Sequence, residues 1–195
     1  MLPVLSQKDA SELDEYTTSS NHLSESSLME NAGRTIAQFI LENIHNPFDQ
    51  KFIVIAGPGN NGGDAIISHY FLKHYGVDSE LLLFNDKQKN NWIFDKYFID
   101  DKSIKFYSNN YIIDPQLWYV DGIFGIGLKR NLKGIYKNII DALQDCSNII
   151  SIDIPSGIFC DSGLKAGTSV LAYYTLTMGY PKLGHYFNAG LEATG

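Results

Sequence analysis

Three short stretches of the chain set glycines beside oxygen-bearing side chains: GPGNNGGD (57–64), DGIFGIG (121–127) and DIPSG (153–157). Each follows an apolar run, and a fourth such run, YYTLTM (173–178), is followed by GYPKLG (179–184). Glycine lets a backbone approach a ligand closely. Amides and carboxylates beside it can take hydrogen bonds, move protons or hold a hard cation. Gly57, Gly59 and Gly62 satisfy the G-x-G-x-x-G spacing of a dinucleotide-binding turn, but two features depart from that use. Asn60 and Asn61 fill the variable positions with amides. Asp64 stands at the expected start of a helix, where it would cap free N–H groups and repel a phosphate brought there. The acid near the usual ribose position, Glu80, lies inside a strand rather than at its tip, and no Lys-Ser or Lys-Thr follows the glycines, which excludes a P-loop NTPase. Singly, Asp121 and Asp153 also read as turn aspartates. Four strand ends agreeing on one edge favour a site.

The elements that must position these residues follow from periodicity. The segment 7–20 reads as a polar helix with a thin apolar stripe, and 21–26 as a loop. Ser27 and Glu30 form a capping-box pattern ahead of Leu28, Met29, Ala32, Ile36, Phe39, Ile40 and Ile44 at helical spacing. We read the stripe Leu28, Met29, Ala32, Ile36 as core first. Strands are expected over 52–56, 80–84, 104–107, 117–120, 149–154 and 173–178. Helices are expected over 64–75 (stopped by Gly76), 91–99 and 135–143. This alternation predicts an α/β fold, a Rossmann-like three-layer αβα sandwich with a mostly parallel sheet. In such a sheet the C-terminal strand ends share one edge, where ligands bind. A single domain over 1–195 is expected, with N-terminal helices (7–45) and a Rossmann-like core (52–195).

Bulk properties narrow the function classes. The 195 residues are 44% hydrophobic, enough for a full core, and carry a net charge of -7. That balance argues against a nucleic-acid or acidic-membrane footprint. No apolar run is long enough to span a membrane, and the N-terminus lacks a secretory pattern. Two cysteines, Cys146 and Cys160, lack metal-type spacing and make a reduced, cytoplasmic setting the default. The histidines (22, 45, 69, 74, 185) show no ligand spacing and read as surface or helix residues. Lys182 reads equally as a residue facing the ligand edge or as a solvated turn lysine.

Together, LMENAG (28–33), AGPGNNGGDA (56–65), DGIFGIGL (121–128), DIPSG (153–157) and TMGYPKLGH (177–185) resemble the YjeF N-terminal domain family, the NAD(P)H-hydrate epimerases, in order and spacing over almost the whole chain. The resemblance implies interconversion of the R and S forms of NADHX or NADPHX, damaged cofactors with a hydroxyl on C6 of the nicotinamide ring. A separate dehydratase, which acts on one epimer, would be the functional partner, and a homodimer is implied. By the same resemblance Asn60, Asn61, Gly62, Gly63 and Asp64 contact the substrate, as do Gly125, Ile126, Gly127, Leu128, Lys129, Arg130, Asn131 and Asp153. The segment 125–131 would take the phosphates. A potassium ion would be held by Asn61, Asp121 and Ser156, and hard oxygen ligands suit that ion.

The chemistry requires loss and re-addition of the C6 oxygen, hence a group that moves protons there and a charge that stabilises the cationic ring. Asp121, which ends a strand, is the expected acid/base, although it is also named as an ion ligand. Ala65 stands where the family usually has a third glycine, and the family usually runs at least one strand beyond GLEATG. Two rivals remain: a non-catalytic scaffold of the same fold, and an NAD(P)-dependent dehydrogenase. The intact signature disfavours the first. The missing acid at the second strand's tip disfavours the second.

Overall fold

The computed structural model describes residues 2–20, 23–89, 92–97 and 101–195. The loop expected over 21–26 and the helix expected over 91–99 lie partly outside these residues, and so does His22. Six strands form one sheet: β1 (Lys51–Ala56), β2 (Asp78–Leu83), β3 (Ile104–Phe106), β4 (Trp118–Gly122), β5 (Ile149–Ile152) and β6 (Tyr174–Leu176). Their order is β3-β2-β1-β4-β5-β6, and every neighbouring pair is parallel.

The sheet is apolar on both sides because helices cover both, as parallel sheets require. Alternation along β1 divides the core. Phe52, Val54 and Ala56 pack with α2 (Glu25–Asn43) and α3 (Asn60–His74). Ile53 and Ile55 face the other way, toward Ile139 and Ile140 of α5 (Gly134–Ala142). Met29 and Ile36 of the α2 stripe are core residues, while Leu28 and Ala32 are only half-buried. Helix α4 (Trp92–Tyr97) lies against α3, and a short α6 (Gly190–Ala193) follows β6.

Four of the boundaries that differ from the sequence expectation bear on the candidate residues. Helix α2 begins at Glu25 and is capped by Ser24, whose extended backbone lets its Oγ accept from Ser27 N at 3.1 Å. Ser27 therefore lies inside the first turn, and Glu30 pairs with Arg34 and Lys96 instead of closing a capping box. Helix α3 begins at Asn60 with Gly59 as its cap, so Asp64 sits one turn inside the helix and caps nothing. Strand β4 runs on through Asp121 to Gly122. Strand β5 stops at Ile152, and Asp153 turns the chain with a φ of 69°.

The first helix, α1 (Gln7–Ser20), is tied to the distant end of the chain. Leu5 N donates to Pro181 O at 2.8 Å and Leu183 N donates to Leu5 O at 2.9 Å. Gln7 N donates to Asp161 Oδ1 at 2.6 Å. No helix among the described residues is long and apolar enough to cross a membrane.

His69 and His185 are buried rather than exposed. His69 bridges Ser79 (2.8 Å) and Ser103 (3.0 Å) between α3 and the β2–β3 side of the sheet. Burial pushes its pKa down to about 3, with Lys73 adding repulsion. A depressed histidine contributes stability that is present above its unfolded value near 6.5 and lost as pH falls from there toward 3. Urea unfolding of His69→Gln should show a flatter acid limb between those values than the natural protein.

Candidate active site

A cavity of about 540 Å³ opens at the C-terminal edge of the sheet, at the β1/β4 switch point where the strand order reverses. The turn after β1 supplies Pro58–Asn61, with Asp64 beyond it. The loop after β4 supplies Ile123–Leu128. Asp153 enters after β5, and Met178–Tyr180 with Lys182 after β6. The four strand ends singled out in the sequence thus meet around one space. Helix α1 adds Ala10, Leu13 and Asp14 as a further wall, which the sequence did not announce.

Asp153 is the most firmly held side chain of the site. Its Oδ1 takes the Lys182 ammonium and Met178 N (3.4 Å), and its Oδ2 takes Ile126 N at 3.3 Å. Lys182 is 2% exposed and spends its other protons on Thr177 Oγ1 (2.9 Å) and Met178 O (2.7 Å). His185 fixes the backbone on both sides. Lys182 N donates to its Nδ1 at 3.3 Å, so the ring proton sits on Nε2 and is donated to Asp153 O at 3.0 Å. Burial depresses the His185 pKa, which agrees with a neutral ring. Neither Lys182 nor His185 was among the residues expected to act. A sequence signal existed in their spacing of three in PKLGH, immediately past a strand end, but a turn lysine has the same signature.

Asp121, the expected acid/base, lies elsewhere. It is in the sheet, paired in register with Ile55 and Ser151, has no accessible surface and is not among the cavity walls. Four donors saturate it: Ser156 Oγ (2.6 Å) and Ile123 N (3.2 Å) on Oδ1, Ser151 Oγ (2.8 Å) and Ser156 N (2.9 Å) on Oδ2. Burial raises its pKa and these bonds oppose the rise. A carboxylate so enclosed ties β4, β5 and the loop after β5 together.

Beside it lies a group of oxygens. The single Ser156 hydroxyl proton faces both Asp121 Oδ1 and Phe124 O, the latter at 3.2 Å. One proton cannot serve both, so an oxygen lone pair is left for a cation. Asn61, half-buried by the same loop, has an Nδ2 with no hydrogen-bond partner. No group of three or more His, Cys, Asp or Glu side chains arranged for a metal occurs among the described residues. The donor set is hard oxygen, as potassium would require.

The other expected contacts divide. Asn60 and Asn61 reach the cavity, and Asn60 also donates to Glu25 Oε1 at 2.9 Å, fastening α3 to α2. Gly62 and Gly63 do not line it. A Cβ on Gly62 would run into the Gly57 carbonyl, and one on Gly63 into Met29 of α2, so these glycines allow close packing behind the site. Gly125, Ile126, Gly127 and Leu128 line the cavity, whereas Lys129, Arg130 and Asn131 are exposed just outside it. Ala65 is buried against Gly122 and stays out of the cavity.

Asp64 lines the cavity and is half-buried, and its carboxyl has no hydrogen-bond or ion-pair partner among the described residues. Burial, reinforced by the charges of Asp153 and Asp14, holds its pKa well above the usual carboxylate range.

Comparison with known proteins identifies the family. Residues 25–184 match the family model described as YjeF-related protein N-terminus. The NAD(P)H-hydrate epimerase of Oenococcus oeni is 32% identical over 194 residues, covering 98% of this chain and 92% of that protein. The bifunctional NAD(P)H-hydrate repair enzyme Nnr of Thermofilum pendens is 32% identical over 196 residues, covering 94% of this chain; the chain spans 37% of that longer protein. The crystal structure of yeast ynu0 superposes with a TM-score of 0.79 at 23% identity, over 96% of this chain and 85% of that one, which bears on the fold alone. Matched over most of its length, the chain belongs to the YjeF-related protein N-terminus family.

Proposed function

We propose that this chain is an NAD(P)H-hydrate epimerase, an isomerase that interconverts the R and S forms of NADHX and NADPHX. The observation that carries the reading is that similarity to proteins of that name spans 98% of the chain and includes every segment lining the cavity at the sheet's switch point. The chain spans 37% of a bifunctional repair enzyme, and a dehydratase acting on one epimer would be its functional partner. Incubation with purified R-NADHX should produce the S form well above the spontaneous rate. No acceleration would favour a scaffold, and hydride transfer to a carbonyl would favour a dehydrogenase.

The substrate's modified ring enters the cavity beside Asn60, Asn61, Asp64 and Asp153. Its phosphates run along Gly125–Leu128 toward the exposed Lys129, Arg130 and Asn131. Rim charges act mainly on capture, so a Lys129→Ala/Arg130→Ala double variant should raise KM about tenfold and leave kcat within about twofold.

Asn61, Asp121 and Ser156, with the Phe124 carbonyl, would hold potassium. When bound, the ion supplies a fixed positive charge that joins the loops after β1, β4 and β5 behind the substrate. Potassium chloride should raise the melting temperature above that in equimolar choline chloride. A homodimer belongs to the same reading: half-buried Leu28 and Ala32 line a groove of about 1040 Å³ between α1, α2 and β6 that offers it apolar surface. Light scattering checks this. A cytoplasmic setting fits two cysteines that are free and buried.

A further inference from the structure

Five titratable side chains line the cavity: Asp14, Asp64, Asp153, Tyr180 and Lys182. Four are poorly suited to exchange a proton at the substrate. Lys182 has its ammonium on three acceptors. Asp153 has both oxygens occupied. Asp14 and Tyr180 are exposed on the outer wall. Asp64 differs from all of them: it comes from the first turns of a helix, is half-buried, and has a carboxyl that bonds to nothing among the described residues. A partly buried carboxyl left unpaired is a standing cost to the fold, and the substrate is the partner that would remove it.

We propose that Asp64 is the proton donor and acceptor at the C6 oxygen, with the Lys182-held Asp153 carboxylate as the fixed negative charge beside it. This rests on the epimerase reading. The neutral Asp64 acid gives its proton to the C6 hydroxyl. The C6–O bond breaks, its electron pair leaves with the oxygen as water, and the N1 lone pair forms a C6=N1 double bond. The positive charge on the ring is offset by Asp153. Water then adds to the other face of C6 and returns its surplus proton to Asp64. Atoms and charge balance, and no co-reactant is consumed. Pairs of carboxyls whose different surroundings divide their roles recur in acid–base sites. Burial, with the neighbouring Asp153 and Asp14 charges, pushes the Asp64 pKa well up, the direction a general acid needs.

The test compares wild type, Asp64→Asn and Asp64→Glu with R-NADHX, the epimers resolved by chromatography. Asp64→Asn should lose about 100- to 1,000-fold in the catalysed rate, the usual share of a general acid, while its affinity for NADPH as a probe stays within about threefold. Asp64→Glu keeps an acid and should retain at least about tenfold more rate than Asp64→Asn. In water enriched in oxygen-18, wild-type turnover should put the label on C6. The proposal is overturned by an Asp64→Asn enzyme within about threefold of wild type, by a rate loss matched by lost NADPH affinity, or by C6 oxygen that turns over without label. Absence of acceleration by wild type would overturn the epimerase reading itself. Folding does not confound the comparison: Asn keeps the shape of the side chain and Asp64 has no hydrogen bond or ion pair among the described residues to lose, so the variant should melt no lower than wild type.

Discussion

Lys182→Met should destabilise the fold by about 3–5 kcal/mol, the range for breaking one side of a buried ion pair, and abolish measurable epimerisation. The Lys182 side chain is 3% exposed and that of Asp153 10%. Removing the ammonium strands a carboxylate at the cavity floor and frees Thr177 Oγ1 and Met178 O, which hold the turn after β6. Urea unfolding of the single and double variants separates the causes. Asp153 has a φ of 69°, a left-handed conformation that asparagine tolerates better than most residues. Asp153→Asn therefore keeps the bend and discards the charge. The double variant Lys182→Met/Asp153→Asn should regain at least about 1.5 kcal/mol over Lys182→Met alone, since coupled neighbours depart from additivity by such amounts. It should regain no activity. Equal stability of the double and single variants would show that the pair is not coupled.

Asp121→Asn should cost about 2–3 kcal/mol, the price of a buried donor left facing another donor. Each oxygen of Asp121 accepts from one serine hydroxyl, which can rotate, and from one backbone N–H, which cannot: Ile123 N on one side and Ser156 N on the other. Whichever way an asparagine amide is turned, its NH2 meets a backbone N–H. Chemical denaturation measures the loss. The same substitution weakens the oxygen group proposed for potassium, so the rise in melting temperature in potassium chloride over choline chloride should shrink. If Asp121 instead moved protons at the substrate, Asp121→Asn would lose rate while keeping both its stability and its response to potassium.

Asp121 and Asp153 show where sequence reading reached its limit. Both follow apolar runs and precede a glycine or proline turn, and their local patterns are nearly alike. Register separates them. Asp121 is still paired with Ile55 and Ser151 inside the sheet, whereas Asp153 lies one residue beyond β5 and bends into the cavity. One residue of strand length leaves Asp121 buried in the sheet and brings Asp153 to the cavity wall. Asp64 moved for a similar reason. Helix α3 starts four residues earlier than its apolar pattern begins, which carries Asp64 from a cap to a cavity wall.

The order of elements, the parallel sheet and the edge that bears the site were legible from the chain alone. They depend on hydrophobic period and on the placement of glycines, which are local properties that any window of the sequence carries. The signature GNNGGD, D-x-x-F-G-x-G and D-x-PSG also marked the segments that meet at the cavity, because each ends a strand of one parallel sheet. Only the tertiary structure decided which polar groups face the cavity. That choice rests on burial and pairing across long separations: Leu5 against Pro181 and Leu183, Lys182 against Asp153, Ser156 against Asp121. A lysine that in isolation reads as a solvated turn residue becomes the counter-ion of Asp153 because the folded chain removes water from both charges and brings them together.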